Sequence, residues 1–126
     1  MLQRAWFDVD TVPLEVLERY EAAMQIPEWT NAFVQMMRVS PPSLSRLAPS
    51  VFCHVLVVNG LDDRLVPPSE SRDFSQLFPN AELVELDECG HCPQEEQVEL
   101  FCDCLTKFIY ALKTNSVESS GSSSLV

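Results

Sequence analysis

Val55-Leu56-Val57-Val58-Asn59-Gly60-Leu61-Asp62-Asp63-Arg64-Leu65-Val66-Pro67 is the stretch that decides the fold. Its first four residues are apolar and mostly β-branched, with no polar alternation. That is the pattern of a strand covered on both faces, as in a parallel sheet. Asn59-Gly60 closes the run, and the Asp-containing segment beyond it reads as a loop at the strand's carboxyl end. A helix is expected from about Ser69 to Phe78, with Phe74, Leu77 and Phe78 inward and Pro79-Asn80 stopping it. Glu82 to Asp87 then alternates around Leu83, Val84 and Leu86 as a second strand. Strand, helix and strand within about 30 residues make one parallel crossover unit of expected right-handed sense.

Downstream, Glu88-Cys89-Gly90-His91-Cys92-Pro93 leads into a helix. Pro93 suits its first turn, Glu95 and Glu96 complement its N-terminal dipole, and Val98, Phe101, Cys102, Leu105, Phe108, Ile109 and Leu112 fall on one face. The helix is expected to end by Lys113, because the residues from Thr114 to Val126 are too rich in Ser to bury enough surface to order. Upstream, Leu14, Leu17, Tyr20 and Met24 make one apolar stripe after Pro13. A second helix is expected from about Glu28 to Arg38, with Trp29, Phe33, Met36 and Met37 apolar and Ser40-Pro41-Pro42-Ser43 ending it. The chain thus divides into a helical segment (1–50), an α/β unit (51–113) and a disordered Ser-rich tail (114–126). Two parallel strands need neighbours, so the fold class is α/β, the C-terminal part of a larger sheet with helices.

The composition bounds the function. With 126 residues, 46% of them hydrophobic, a packed core is expected rather than global disorder. Eight Lys and Arg against 19 Asp and Glu give a net charge of −11, which opposes binding to nucleic acid through a basic face. No apolar run approaches the ~20 residues of a membrane span, so a soluble protein is expected. Met1 to Asp10 has neither the apolar core of a secretory signal nor the look of a transit peptide, which favours an intracellular place, cytoplasmic or plastid. Five cysteines are an odd number without an export signal, which points to reduced thiols. No cofactor is expected.

Two residues carry the chemistry. Asp63 and His91 follow the two strands at the sheet edge where open α/β folds place ligands. An Asp bonded to one imidazole nitrogen orients the ring and leaves the other nitrogen free to act as a base.

Gly60-x-x-Asp63-x-x-Val66-Pro67 after an apolar strand, then Gly90-His91-x-Pro93-x-x-Glu96 heading the last helix, resembles the final third of an α/β-hydrolase fold enzyme. The resemblance covers Val51 to Leu112. It implies the triad acid at Asp63, the triad histidine at His91, and in the intact relative a serine hydrolase acting on an ester-like bond of a small-molecule substrate. Arg4-Ala5-Trp6-Phe7-Asp8 and the helix after Pro13 resemble the helical cap of plant and algal-type members. The sequence departs from the family pattern in having no Gly-x-Ser-x-Gly elbow and no His-Gly-type oxyanion loop, and in carrying Val98 where Pro is common. The expectation is therefore a partial, truncated hydrolase, inactive alone because it lacks the nucleophile. Ser69 and Ser71 read as helix caps and the tail serines have no scaffold. The alternative is a non-catalytic short isoform or interaction protein, self-associating through the unpaired sheet edge.

Rival signals are weaker. Cys89-Gly90-His91-Cys92 has the spacing of a thiol-disulfide site, but no further strands follow it and Pro93 stands directly after the second Cys. Zinc ligation fails because Cys102 and Cys104 sit about 200° apart on a helix, with Cys102 on the core face. His54 reads as structural, Asp62 as solvated, and the acidic residues from Glu82 to Glu99 as solvated faces without calcium-loop spacing.

Overall fold

A computed structural model describes residues 2–39 and 44–121, with side chains for 4–39 and 44–114. Four helices come first: α1 (Leu2–Ala5), α2 (Leu14–Met24), α3 (Trp29–Arg38) and α4 (Leu44–Leu47). Then follow β1 (Val55–Gly60), α5 (Pro68–Ser75), β2 (Ala81–Leu86), α6 (Pro93–Glu96) and α7 (Val98–Gly121), with 3₁₀ turns at Val9–Thr11 and Ala48–Ser50. The Ser40-Pro41-Pro42-Ser43 break and tail residues 122–126 lie outside the described residues.

β1 and β2 pair in parallel, Val55 opposite Ala81 and Gly60 opposite Leu86. The apolar run becomes a strand because β-branched side chains suit a pleated surface and the helix between the strands returns the chain to the same edge. Asn80 opens the pairing, its side-chain amide donating to Phe52 O (2.8 Å) while its carbonyl accepts from Val55 N (2.9 Å). Arg72 on α5 reaches Glu85 on β2 at 2.9 Å. Val55 to Val58, expected to be covered on both faces, are only half-buried, because among the described residues the sheet has two strands and β1 has no second neighbour.

The helix after His91 is interrupted rather than continuous. Gln97 leaves helical geometry (φ −127°, ψ 54°), with its side-chain amide donating to Glu88 O at 3.2 Å, so α6 is one short turn and α7 starts afresh at Val98. The restart rotates the buried face of α7. Phe101, Cys104, Phe108 and Leu112 are half-buried, whereas Cys102, Leu105 and Ile109 are exposed, so Cys104 and not Cys102 lies on the inward face. α7 also runs on to Gly121 instead of ending by Lys113. No Pro stops it, each added residue closes one more backbone bond, and the Thr114 hydroxyl donates to Ala111 O at 2.9 Å.

On α2 the inward positions are Val16 and Leu17, while Leu14 is exposed. The stripe is displaced because the helix packs near its start, beside the N-terminal segment, rather than along its length. The buried cluster there is Ala5, Trp6, Val12 and Val16, with Leu17 and Leu65 against it. Trp6 is 3% exposed, and its indole N–H is buried without a partner, an orphan costing about 1–3 kcal/mol that its packing must offset. On α3, Trp29 and Phe33 stack at 5.1 Å, and Met36 and Met37 face solvent.

Candidate active site

The two loops that leave β1 and β2 are laced together before either reaches its polar residue. Leu61 N donates to Leu86 O (2.8 Å) and Asp62 N to Cys89 O (2.9 Å), extending the strand pairing past its ends. This approach needs glycine at position 60, since a Cβ there would lie 2.2 Å from both the Cys89 and the Gly90 carbonyl oxygens. Glu88 takes a left-handed φ of 51°, which turns the chain sharply out of β2.

Asp63 is buried at the head of its loop. Its Oδ1 accepts from Leu65 N (2.7 Å) and Val66 N (2.9 Å), a turn in which the side chain replaces a backbone acceptor. These two bonds aim Oδ2 at the facing loop, where it lies 2.8 Å from His91 Nδ1. The carboxylate is nearly sealed, with its side chain 3% exposed, while the His91 side chain is 42% exposed. An ionised carboxylate only accepts, so in the neutral ring the proton sits on Nδ1 and Nε2 carries a lone pair. Among the described residues Nε2 has no hydrogen-bond partner. His91 also lines an open depression of about 170 Å³, together with Val58, Asn59, Gly60, Asp63 and Ser71 among others.

The other residues singled out from the sequence fall elsewhere. Ser71 reaches this depression but its hydroxyl donates to Asn59 Oδ1 (3.0 Å). Neither Ser69 nor Ser71 caps α5, whose N-cap position is Pro67, with no side-chain cap bond. His54 is exposed ahead of β1, and Asp62 is partly buried rather than fully solvated. Cys89 is wholly enclosed, and burial first, then the Glu96 carboxylate, pushes its thiol up to about 12. Burial also raises Cys92. Neither thiol has the lowered pKa that activates a redox pair, and Cys89 is sealed from solvent, which opposes the thiol-disulfide reading. Among the described residues no three His, Cys, Asp or Glu side chains converge to hold a metal ion, and no helix is long and apolar enough to cross a membrane.

Several contacts were not legible beforehand. The N-terminal segment runs over both loops: Arg4 donates to Arg64 O (3.1 Å), and His91 N donates to Ala5 O. The Tyr20 hydroxyl on α2 donates to Glu95 Oε2 (3.0 Å); burial and this bond raise the phenol's pKa. Glu96, read above as a dipole partner, turns its carboxylate back onto backbone amides. The motif's Gly-His-x-Pro-x-x-Glu spacing was the one available hint of that role.

Residues 7–98 match the α/β hydrolase fold family. The chain belongs to that family. It is 29% identical over 93 residues to the 2-hydroxy-6-oxononadienedioate/2-hydroxy-6-oxononatrienedioate hydrolase of Pseudomonas sp., covering 72% of this chain and 33% of that protein. The meta-cleavage product hydrolase of Pseudomonas fluorescens IP01 superposes with a TM-score of 0.72 at 27% identity, over 88% of this chain and 43% of that one. A putative lipase of Acinetobacter baumannii AYE shares the fold at a TM-score of 0.74 and 24% identity, over 90% of this chain and 40% of that one. The chain thus spans about a third of the length of the curated relative it matches. None of these three is a plant or algal protein, and the narrower likeness to plant and algal-type caps finds no support in them.

Proposed function

We propose that this chain supplies the acid and histidine of a hydrolase triad, Asp63 orienting His91 and His91 moving the proton, while the nucleophile comes from elsewhere in the fold. The supporting observation is the 2.8 Å contact between Asp63 Oδ2 and His91 Nδ1, made by a carboxylate already anchored through its other oxygen. The substrate is a small molecule attacked at a carbonyl, either an ester-like bond or, as the names of the Pseudomonas relatives suggest, a bond in an oxo-dienoate. His91 Nε2 takes the proton of the attacking hydroxyl, the ionised Asp63 stabilises the imidazolium, and the same nitrogen returns the proton to the leaving group. Residues 1–50 serve as the helical cap and 51–113 as part of the catalytic core. The sequence contains no Gly-x-Ser-x-Gly, so these 126 residues alone do not turn over.

Two measurements test this. The purified chain treated with a fluorophosphonate shows no specifically labelled serine; a single labelled serine would mean that the chain carries its own nucleophile. The coding sequence upstream of Met1, read in frame, encodes Gly-x-Ser-x-Gly, and the longer product hydrolyses activated esters or oxo-dienoates. In that product His91→Gln lowers kcat by about 10⁶, the cost of removing a triad histidine. Turnover indifferent to His91 would remove the assignment. A second reading, a non-catalytic chain that persists by association, is favoured by the unpaired edge and half-exposed faces of β1, and an upstream sequence without the elbow would select it.

A further inference from the structure

We propose that Glu96 is a positioning residue for His91, its carboxylate holding the His91 loop in place by gathering three backbone amides; this rests on the triad reading above. Oε2 accepts from Phe7 N (2.7 Å) and from Gly90 N (2.9 Å), and Oε1 accepts from Cys92 N (2.9 Å). The amides on either side of His91 therefore converge on one charged group, and the third belongs to the N-terminal segment. That segment lies directly over the loop. A Cβ at Gly90 would come within 2.3 Å of Ala5 O and 2.8 Å of Phe7 N, and the His91 amide itself donates to Ala5 O. Gln97, the next residue, leaves helical geometry and ties its amide to Glu88 O, fixing the other end of the same loop.

A carboxylate suits this place better than an amide. All three partners are N–H donors, so both oxygens must accept, and Gln has only one oxygen. In Glu96→Gln the oxygen stays with Phe7 and Gly90, whose two bonds outweigh one, and the NH₂ group faces the Cys92 N–H as donor against donor. The Cys92 amide is released and the His91 ring loses its fixed relation to Asp63. The role is one of position: the Glu96 carboxylate bonds backbone amides and not the imidazole.

The test uses the full chain, with amide hydrogen exchange and ¹⁵N NMR of the imidazole. In the parent chain the Phe7, Gly90 and Cys92 amides are protected, and His91 shows a single Nδ1–H tautomer. In Glu96→Gln, Cys92 exchanges at least about tenfold faster, as loss of a charge-assisted bond requires, and His91 becomes a mixture of tautomers. Protection of the β1 and β2 amides stays unchanged. A variant that keeps the single tautomer and the Cys92 protection overturns the proposal. Should the variant not fold, unprotected Phe7, Gly90 and Cys92 amides in the parent chain overturn it equally, and protected ones support it. A parent His91 without the Nδ1–H tautomer defeats the triad reading instead, since amide protection reports on the clamp independently of the ring.

Discussion

Asp63→Asn gives a sharply defined expectation, because the site leaves the new amide one good orientation. Asp63 makes three hydrogen bonds: Oδ1 accepts from Leu65 N and Val66 N, and Oδ2 meets His91 Nδ1. With the Asn oxygen toward the two amides, both turn bonds survive and the NH₂ faces His91. With the amide flipped, one bond to His91 is kept and two backbone donors lose their acceptor. The first orientation is therefore favoured by about 1–3 kcal/mol, the usual cost of an unsatisfied buried donor. It presents a donor to Nδ1, so the imidazole must carry its proton on Nε2, the nitrogen that should act as base. Replacing charge-assisted bonds (about 1.5–3 kcal/mol each) by neutral ones (about 0.5–1.5 kcal/mol) lowers stability by roughly 1–1.5 kcal/mol per bond, about 3–4.5 kcal/mol over the three. Long-range ¹H–¹⁵N correlation spectra read the tautomer directly, and urea melts read the stability. In a longer, active product the same change lowers kcat by about 10⁴, the effect of a wrong tautomer in a triad. A variant that keeps Nδ1–H and melts like the parent would show that the Asp63 contact does not govern the ring.

Other outcomes follow from packing and burial. Gly60→Ala forces the two loops apart against backbone oxygens at 2.2 Å and destabilises the chain by about 1–3 kcal/mol in a urea melt; an unchanged midpoint would refute the close approach. At pH 8 iodoacetamide modifies the exposed Cys53 and Cys102 and spares the enclosed Cys89, which peptide mass mapping checks. Because the Cys89 thiol is raised from 9.0 to about 12, the folded chain keeps its proton where the unfolded chain has ionised. Its contribution is complete below pH 9 and is lost as the pH rises toward about 12, an alkaline fall that Cys89→Ala should reduce. Leu14 (70%), Met37 (69%) and Phe52 (74%) are exposed, so the chain binds ANS and self-associates at micromolar concentration. A sharply melting monomer without dye binding would refute this.

The α/β class, both strands and the Asp63–His91 pair were legible because each rests on local pattern. A β-branched run makes a strand wherever it is covered, and two loops at the same edge of adjacent strands must meet. Faces were read less well, because a face depends on what the element packs against. The spacing of Leu14, Leu17, Tyr20 and Met24 describes a real stripe, yet Val16 is the residue buried, since Trp6 and Val12 lie on that side. On α7 the sequence period runs unbroken through Gln97, and only the tertiary bond of its side chain to Glu88 reveals the restart that exchanges Cys102 for Cys104. The Glu96 contacts were hidden for a related reason. Two of its three donors are close in sequence, but Phe7 is not, and no pattern of side chains announces which backbone amides will lack a partner.

These differences bear on why a chain spanning about a third of a relative can still form the Asp63–His91 pair. The contact draws on the parallel pairing of β1 with β2, the Gly60 approach, the Asp63 turn, and the Arg4–Phe7 segment anchored by Glu96. Every one of these lies within the described residues, and none involves a nucleophile or an oxyanion loop. Among the described residues β1 has one neighbouring strand, and the burial that a second would add falls on strand faces rather than on the pair. Stability and site geometry are therefore separable here: β1 is half-buried and apolar side chains of α3 and α7 are exposed, while the imidazole is held by Asp63. On the triad reading proposed above, a pair already held by backbone hydrogen bonds would add little ordering cost to the proton transfer, because the groups to be aligned are fixed before a nucleophile meets them.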